Sequence, residues 1–329
     1  MPEMMKAAFI KQAGPPENII FGDLPKPVIK NNQVLVKVKT VAVDHVDTYI
    51  RSGQYTPGAP FPFILGWDMC GVVDKVGKDV SAFKQGQKVW SNYLGIHGRQ
   101  GSFSEYVAVD EKSLYLLPPG VDEKEAVATF HSATTALTGL IRIAKLKSSE
   151  TIFVSGGAGN VGSAIIELAA ARGAKVIASA GSQEKVEWCK KIGAAHAINY
   201  KTQNVEHEVK NVVPNGVDVF WDTSRQPNLE TAVNVLAVRG RIVLMSGYNA
   251  HPTLPVGPFY AKECSMFGFT LINSTQGELE TYAEIINKAL EDKILHIRIA
   301  KVMPLSETAK AHYLQETDTK LWGKIVLTV

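Results

Sequence analysis

Thr151-Ile152-Phe153-Val154-Ser155-Gly156-Gly157-Ala158-Gly159-Asn160-Val161-Gly162 is the stretch that decides the architecture of this chain. Its first five residues form a compact apolar run, which predicts a buried strand, and Val161–Arg172 behind it has helical spacing. Between them Gly157, Gly159 and Gly162 make a GxGxxG pattern. In such a loop one glycine allows a tight turn, one allows close approach of a pyrophosphate, and one lets helix and strand pack closely. The helix that opens there offers unpaired N–H groups and a partial positive charge to phosphates. A glycine run alone is a common turn. Set between strand and helix, Gly157, Gly159, Asn160, Val161 and Gly162 read as a dinucleotide loop.

Moving toward the C-terminus, strands and helices alternate. Lys175–Ser179 predicts a strand, Gln183–Ile192 a helix, Ala197–Asn199 a short strand and Val205–Val212 a helix. Val217–Trp221 (strand), Asn228–Leu236 (helix), Arg241–Met245 (strand) and Met266–Ile272 (strand) complete the series. Such alternation requires parallel pairing through right-handed crossovers, hence an α/β fold with a doubly wound parallel sheet. Upstream, Glu123–Leu146 predicts one long helix. Before Pro118-Pro119-Gly120 the chain is β-rich, with strands at Val34–Val43, Gly71–Val76 and Lys88–Ser91 between frequent Pro, Gly and Asn breakers. The tail carries helices at Glu278–Leu290 and Ser306–Gln315 and a last strand, Lys324–Val329. A terminal strand needs a sheet, so the tail is expected to rejoin the first domain. The expected boundaries are residues 1–122, 123–273 (nucleotide domain) and 274–329.

Composition bounds the function. At 329 residues, with 45% hydrophobic and 20% charged residues, the chain suits two globular domains. Lys and Arg total 35 against 32 Asp and Glu, a net +3 without long like-charge runs, which argues against nucleic-acid or membrane-surface binding. No apolar run is long enough to span a bilayer, and Met1–Ile10 has no leader-like apolar region. A cytoplasmic location is the expectation. The three cysteines, Cys70, Cys189 and Cys264, are too few and too scattered for a disulfide framework or a Cys₄ metal site.

Cofactor choice is expected at the end of the second strand of the nucleotide domain. An NAD site places Asp or Glu there to hold the ribose 2′-OH. Here Ala178-Ser179-Ala180-Gly181-Ser182-Gln183 contains no carboxylate. Ser182 can donate a hydrogen bond and Lys185 can supply charge to a 2′-phosphate, while Glu184 serves the start of a helix. NADPH is the cofactor this pattern predicts.

Further motifs give the chain a resemblance. Thr48-Tyr49-Ile50-Arg51-Ser52-Gly53, Gly66-x-Asp68-x-x-Gly71 and Gly101-Ser102-Phe103-Ser104-Glu105-Tyr106 occur in order with Thr135-Ala136, the glycine loop and Gly323-Lys324-Ile325-Val326-Leu327. Together they resemble the medium-chain dehydrogenase/reductase superfamily, in its zinc-free quinone oxidoreductase (zeta-crystallin-like) branch, over nearly the whole length. The resemblance implies a Rossmann sheet inserted into a β-rich GroES-like catalytic domain, with the active site in the cleft between them. It also implies NADPH use and a homodimer joined through the edge strand 266–272. Zinc alcohol dehydrogenases of the superfamily hold their metal with Cys, His and Cys. The matching positions here are Asp44, Trp67 and one near His131, and the structural-zinc cysteine insertion is missing. Trp67 cannot ligate zinc, so no metal is expected; the alternative is that Asp44, Asp68 and His131 gather around some other ion.

By the same resemblance Tyr49 and Tyr55 flank the substrate and Asp44 lies beside the nicotinamide. The branch usually carries Asn where this chain has Asp44, which suggests an acid–base pair of Asp44 with His131. Thr135 is implied to meet the carboxamide and Tyr200 to pack near the 2′-phosphate. Ser246 and Gly247 follow a strand end where open α/β sheets bind ligands, and Asn273 is a similar candidate. A metal-free site suits acceptors that are already electrophilic. The expected function is NADPH-dependent hydride transfer to a quinone, with an enone or 2-alkenal as the rival substrate. A non-enzymatic crystallin-like or RNA-binding role is the alternative of a different class; near-neutral charge and the lack of an aromatic–basic stripe weigh against RNA.

Overall fold

The computed structural model describes residues 2–329. Two compact units emerge, one of Met1–His131, Gln276–Asp292 and Ile297–Val329, the other of Ser132–Thr275 and Lys293–His296. The first unit opens with β1 (Met4–Ile10), β2 (Ile20–Pro25), β3 (Gln33–Val43), α1 (His45–Ser52), β4 (Phe63–Ile64) and β5 (Asp68–Val76). It continues with β6 (Lys88–Ser91), β7 (Tyr106–Asp110), β8 (Tyr115–Leu116) and the start of α2 (Glu123–Leu137). The second unit holds β9 (Thr151–Ser155), α3 (Asn160–Ala171), β10 (Lys175–Ala180), α4 (Gln183–Lys191), β11 (His196–Asn199) and α5 (Val205–Val212). After these come β12 (Val217–Asp222), α6 (Leu229–Val235), β13 (Leu236–Leu244), α7 (Val256–Ala261) and β14 (Ser265–Gly268). The chain then returns to the first unit with α8 (Gln276–Glu291), β15 (Ile299–Pro304), α9 (Thr308–Thr317) and β16 (Lys324–Thr328).

In the second unit six parallel strands run in the order β11-β10-β9-β12-β13-β14. The winding reverses between β9 and β12, the crevice where doubly wound sheets bind ligands. Strands covered on both faces need apolar residues throughout. Accordingly Phe153, Ile177, Ile198, Phe220 and Ile242 are all buried, and the rings of Phe153 and Phe220 stack with centroids 4.8 Å apart. Each such side chain contributes ~1.5–3 kcal/mol by leaving water.

In the first unit β3 is the hub. Its residues alternate so that Val36 and Val38 point inward while Lys37 and Lys39 stay exposed. It pairs antiparallel with β5 on one side and with β16 on the other, so the tail strand does find a sheet. Register matters here: Val43 faces Ile325 and Ala42 faces Asp68. The end of β3 therefore carries Asp44 to the start of β16 and to the start of β5.

Two expected elements change. The helix expected over Glu123–Leu146 ends as an α-helix at Leu137 and continues as a π-helical turn over Thr138–Ile143. A Cβ on Gly139 would lie 1.9 Å from Trp221, so this bare backbone is what admits the indole. The strand expected over Met266–Ile272 is only β14; Thr270 then accepts a hydrogen bond from the Ile272 N–H and starts a 3₁₀ turn, Leu271–Asn273. Strands β1, β2 and β15 and helices α1 and α7 were not anticipated, being short segments with mixed polarity.

Candidate active site

The second unit carries the glycine loop between β9 and α3. Gly156, with φ of 75°, makes the tight turn that the motif assigned to Gly157. Gly157 is instead a packing residue: its Cβ would lie 2.8 Å from that of Ala178. Gly162 is another, since a Cβ there would come within 2.3 Å of the Gly156 carbonyl oxygen. Gly159 differs. It is exposed, and a Cβ would meet only the Gly156 carbonyl oxygen, at 3.3 Å. It stands as the N-cap of α3, which has no acidic residue in its first turn. Asn160 and Val161 follow, half-buried, on that turn. An anion approaching there meets backbone rather than side chains.

Neighbouring strand ends complete this side. Asp222, buried at the end of β12, accepts hydrogen bonds from the N–H groups of Ser224 (2.8 Å) and Asn228 (3.2 Å). Thr223 Oγ1 donates to the Ser155 carbonyl at 2.7 Å, and Ser246 Oγ donates to the Ser224 carbonyl at 2.6 Å. Ser246 and Gly247, the latter with φ of 82°, thus belong to the same set of loops. Asp222, Thr223 and Ser224 escaped the sequence reading, although the ligand rule for strand ends applies to β12 as it does to β13.

At the end of β10, Ser182 caps α4 by accepting from the Lys185 N–H at 3.4 Å, and Lys185 is half-buried one turn in. Exposed Tyr200 follows β11, its hydroxyl 2.7 Å from where a Gly181 Cβ would sit. Ser182 and Tyr200 thus border one rim; no carboxylate ends β10, and exposed Glu184 stands in the first turn of α4. Thr135 is buried in α2, and Asn273 is exposed in the 3₁₀ turn after β14.

The first unit gathers charged groups. Asp44, Asp68 and His131 offer oxygen and nitrogen atoms that all lie within 4.8 Å of one another. Strand register brings the two carboxylates together, and α2 brings His131, whose N–H donates to Asp68 Oδ2 at 2.9 Å. Asp44 and His131 are therefore neighbours. The hydrogen bond of Asp44 Oδ1, however, comes from Lys324 Nζ, and its Oδ2 has no hydrogen-bond partner among the described residues. Asp47, buried beside them, accepts the Asp44 N–H at 2.7 Å.

Burial alone would raise the Asp44 pKa; the Lys324 ammonium, with help from His131, outweighs it and holds the carboxyl below its usual range. Burial and then the Asp44 charge push Asp47 and Asp68 well above theirs. Burial also lowers the His131 pKa, against the pull of Asp44. The cluster thus concentrates its negative charge on Asp44, opposite one ammonium. Against it stands an aromatic wall: Trp67 meets both His131 and Tyr93 edge to face, at 5.6 and 5.3 Å, and Tyr93 Oη lies 3.2 Å from His97 Nε2. Tyr49 and Tyr55, both half-buried, pack edge to face 5.7 Å apart.

Comparison with known proteins bears on the whole chain. Residues 30–119 match an alcohol dehydrogenase GroES-like domain and residues 160–288 a zinc-binding dehydrogenase domain. The human quinone oxidoreductase is 31% identical, with 99% of this chain and 98% of that protein aligned. The chain belongs to the medium-chain dehydrogenase/reductase superfamily. An NADPH-dependent alkenal/one oxidoreductase of Arabidopsis thaliana is 36% identical over 67% of this chain and 57% of its own. Among solved structures, an NAD-dependent alcohol dehydrogenase superposes with a TM-score of 0.90 at 29% identity, over 99% of this chain and 100% of the other. A mycobacterial protein complexed with NADPH superposes with a TM-score of 0.85 at 25% identity, over 99% of this chain and 100% of that one. As a member of this superfamily the chain is an oxidoreductase that uses a nicotinamide cofactor.

The glycine loop fits that cofactor: the exposed backbone at Gly159, on a helix N-terminus without acidic side chains, is what a pyrophosphate needs. The zinc of the dehydrogenase family fares otherwise. Of the groups beside Asp44, Trp67 has no lone pair to give, no thiol joins the cluster, and Asp44 Oδ1 already holds an ammonium. A dication placed there would face a like charge at bonding distance. The residues present do not fit a zinc ion.

Proposed function

We propose that this chain is a zinc-independent NADPH:quinone reductase. The observation that carries the NADPH choice is the end of β10, where residues 178–183 include no carboxylate to hold a 2′-hydroxyl or repel a 2′-phosphate, with Lys185 and Tyr200 close by. When bound, the nicotinamide supplies a hydride. Gly159, Asn160 and Val161 would seat the pyrophosphate, and Thr135, Ser246, Gly247 and Asn273 would border the nicotinamide. Tyr49 and Tyr55 offer phenolic hydroxyls to the oxyanion that develops on the acceptor. Asp44 and His131 would lie beside the reacting ring, with Lys324 fixing the ionisation of Asp44. Without a Lewis acid the acceptor must be electrophilic by itself, as quinones are.

The partial match to an alkenal/one oxidoreductase favours a second reading, reduction of an activated carbon–carbon double bond. NADPH and NADH oxidation, followed at 340 nm against a quinone panel and an enone and 2-alkenal panel, separates the two. The proposal expects turnover with quinones and a clear NADPH preference. Turnover with alkenals alone supports the second reading; NADH preference or no turnover contradicts both. The same proposal includes a homodimer formed at the outer edge of β14.

A further inference from the structure

We propose that Lys324 is a built-in cation: its ammonium takes the place of a divalent metal among Asp44, Asp68 and His131, and its charge keeps these three groups from holding one. The proposal rests on the zinc-independent reading above and explains how the fold sustains it. A buried carboxylate must be paired with a cation. In this cluster the β3–β16 register delivers one, because Val43 faces Ile325 and so Asp44 meets the residue before it. Lys324 is only 2% exposed, as is Asp44. The remaining donors are poised for a metal. Asp44 Oδ2 and Asp68 Oδ1 are buried without hydrogen-bond partners among the described residues, and with His131 they give two oxygen donors and one imidazole within 4.8 Å of one another. Two carboxylates and a histidine suit Zn²⁺ or Co²⁺ with a position left open. What disqualifies the set is the positive charge already bonded to Asp44.

Lys324→Met removes that charge and keeps the aliphatic stem. The experiment titrates wild type, Lys324→Met and Lys324→Met/Asp44→Asn with Co²⁺, read by visible d–d absorption and by metal content after dialysis. Wild type is expected to retain no stoichiometric metal. Lys324→Met is expected to bind one Co²⁺ per chain at least ~100-fold more tightly, since a like charge a few ångströms away disfavours a cation by more than that. Adding Asp44→Asn should abolish the gain. Where Lys324→Met needs metal to fold, Co²⁺ in the refolding buffer should restore its circular dichroism. Stoichiometric metal in wild type, a folded Lys324→Met chain with no gain, or a Lys324→Met chain that stays unfolded in Co²⁺ overturns the proposal. Metal content is independent of quinone turnover, so this inference and the reductase reading fail separately.

Discussion

Gly159 and Gly157 share a motif but differ in what a methyl group would meet. At Gly159 the nearest atom to an added Cβ is a carbonyl oxygen at 3.3 Å, whereas at Gly157 it is a packed methyl at 2.8 Å. Gly159→Ala should therefore fold with a thermal midpoint close to wild type while intruding on the proposed pyrophosphate site. An increase of ~10-fold or more in the NADPH dissociation constant, about 1.4 kcal/mol, is expected by fluorescence titration. Unchanged affinity in a folded variant would place the phosphates elsewhere. The three glycines were legible from their spacing. Gly156, which makes the turn itself, was not, because a positive φ follows from how the loop leaves β9 rather than from the motif. Likewise Asp44 and His131 could be named from position in the chain, but their partner Lys324 lies 280 residues from Asp44 and entered only as part of a C-terminal motif.

Helix α3 carries a device unrelated to the glycine loop at its head. Glu167 is 3% exposed, accepts the His296 N–H at 2.9 Å through Oε1, and leaves Oε2 without a hydrogen-bond partner among the described residues. Burial pushes its carboxyl up to about 8. A group whose folded pKa is raised contributes stability that is full below its ordinary value and lost as pH rises through the folded one. Between pH 5 and 8 wild type should lose ~2–4 kcal/mol through this group, because the unfolded chain ionises there while the folded one must stay protonated. Glu167→Gln keeps an acceptor for His296 and carries no charge. Denaturant unfolding at pH 5, 6.5 and 8 should show its stability flattened over that range, and parallel wild-type and variant curves would contradict this. Elements bounded by local sequence signals, such as α5, β6 and β9, matched their expected bounds. Those set by a partner did not: the α2 helix changes its winding where Gly139 meets Trp221, a residue far off in sequence.

At the scale of the whole molecule, the six-stranded sheet ends at β14, where Met266 and Phe267 are 43% and 39% exposed. An unprotected apolar edge strand invites continuation by a second copy. Met266→Lys/Phe267→Lys should halve the mass seen by sedimentation velocity without loss of secondary structure; a double variant that stays dimeric, or a monomeric wild type, would exclude this edge. No described helix is long and apolar enough to cross a membrane. By itself the sequence determined the α/β class, the place of the glycine loop between strand and helix and the return of the tail strand to the first sheet. These follow from local periodicity, turn chemistry and the need of every strand for a neighbour. Only the tertiary structure decided which groups surround Asp44. Strand register is a non-local choice, settled by which apolar faces bury together, and a shift of one residue between β3 and β16 would have sent Lys324 to the other face of the sheet.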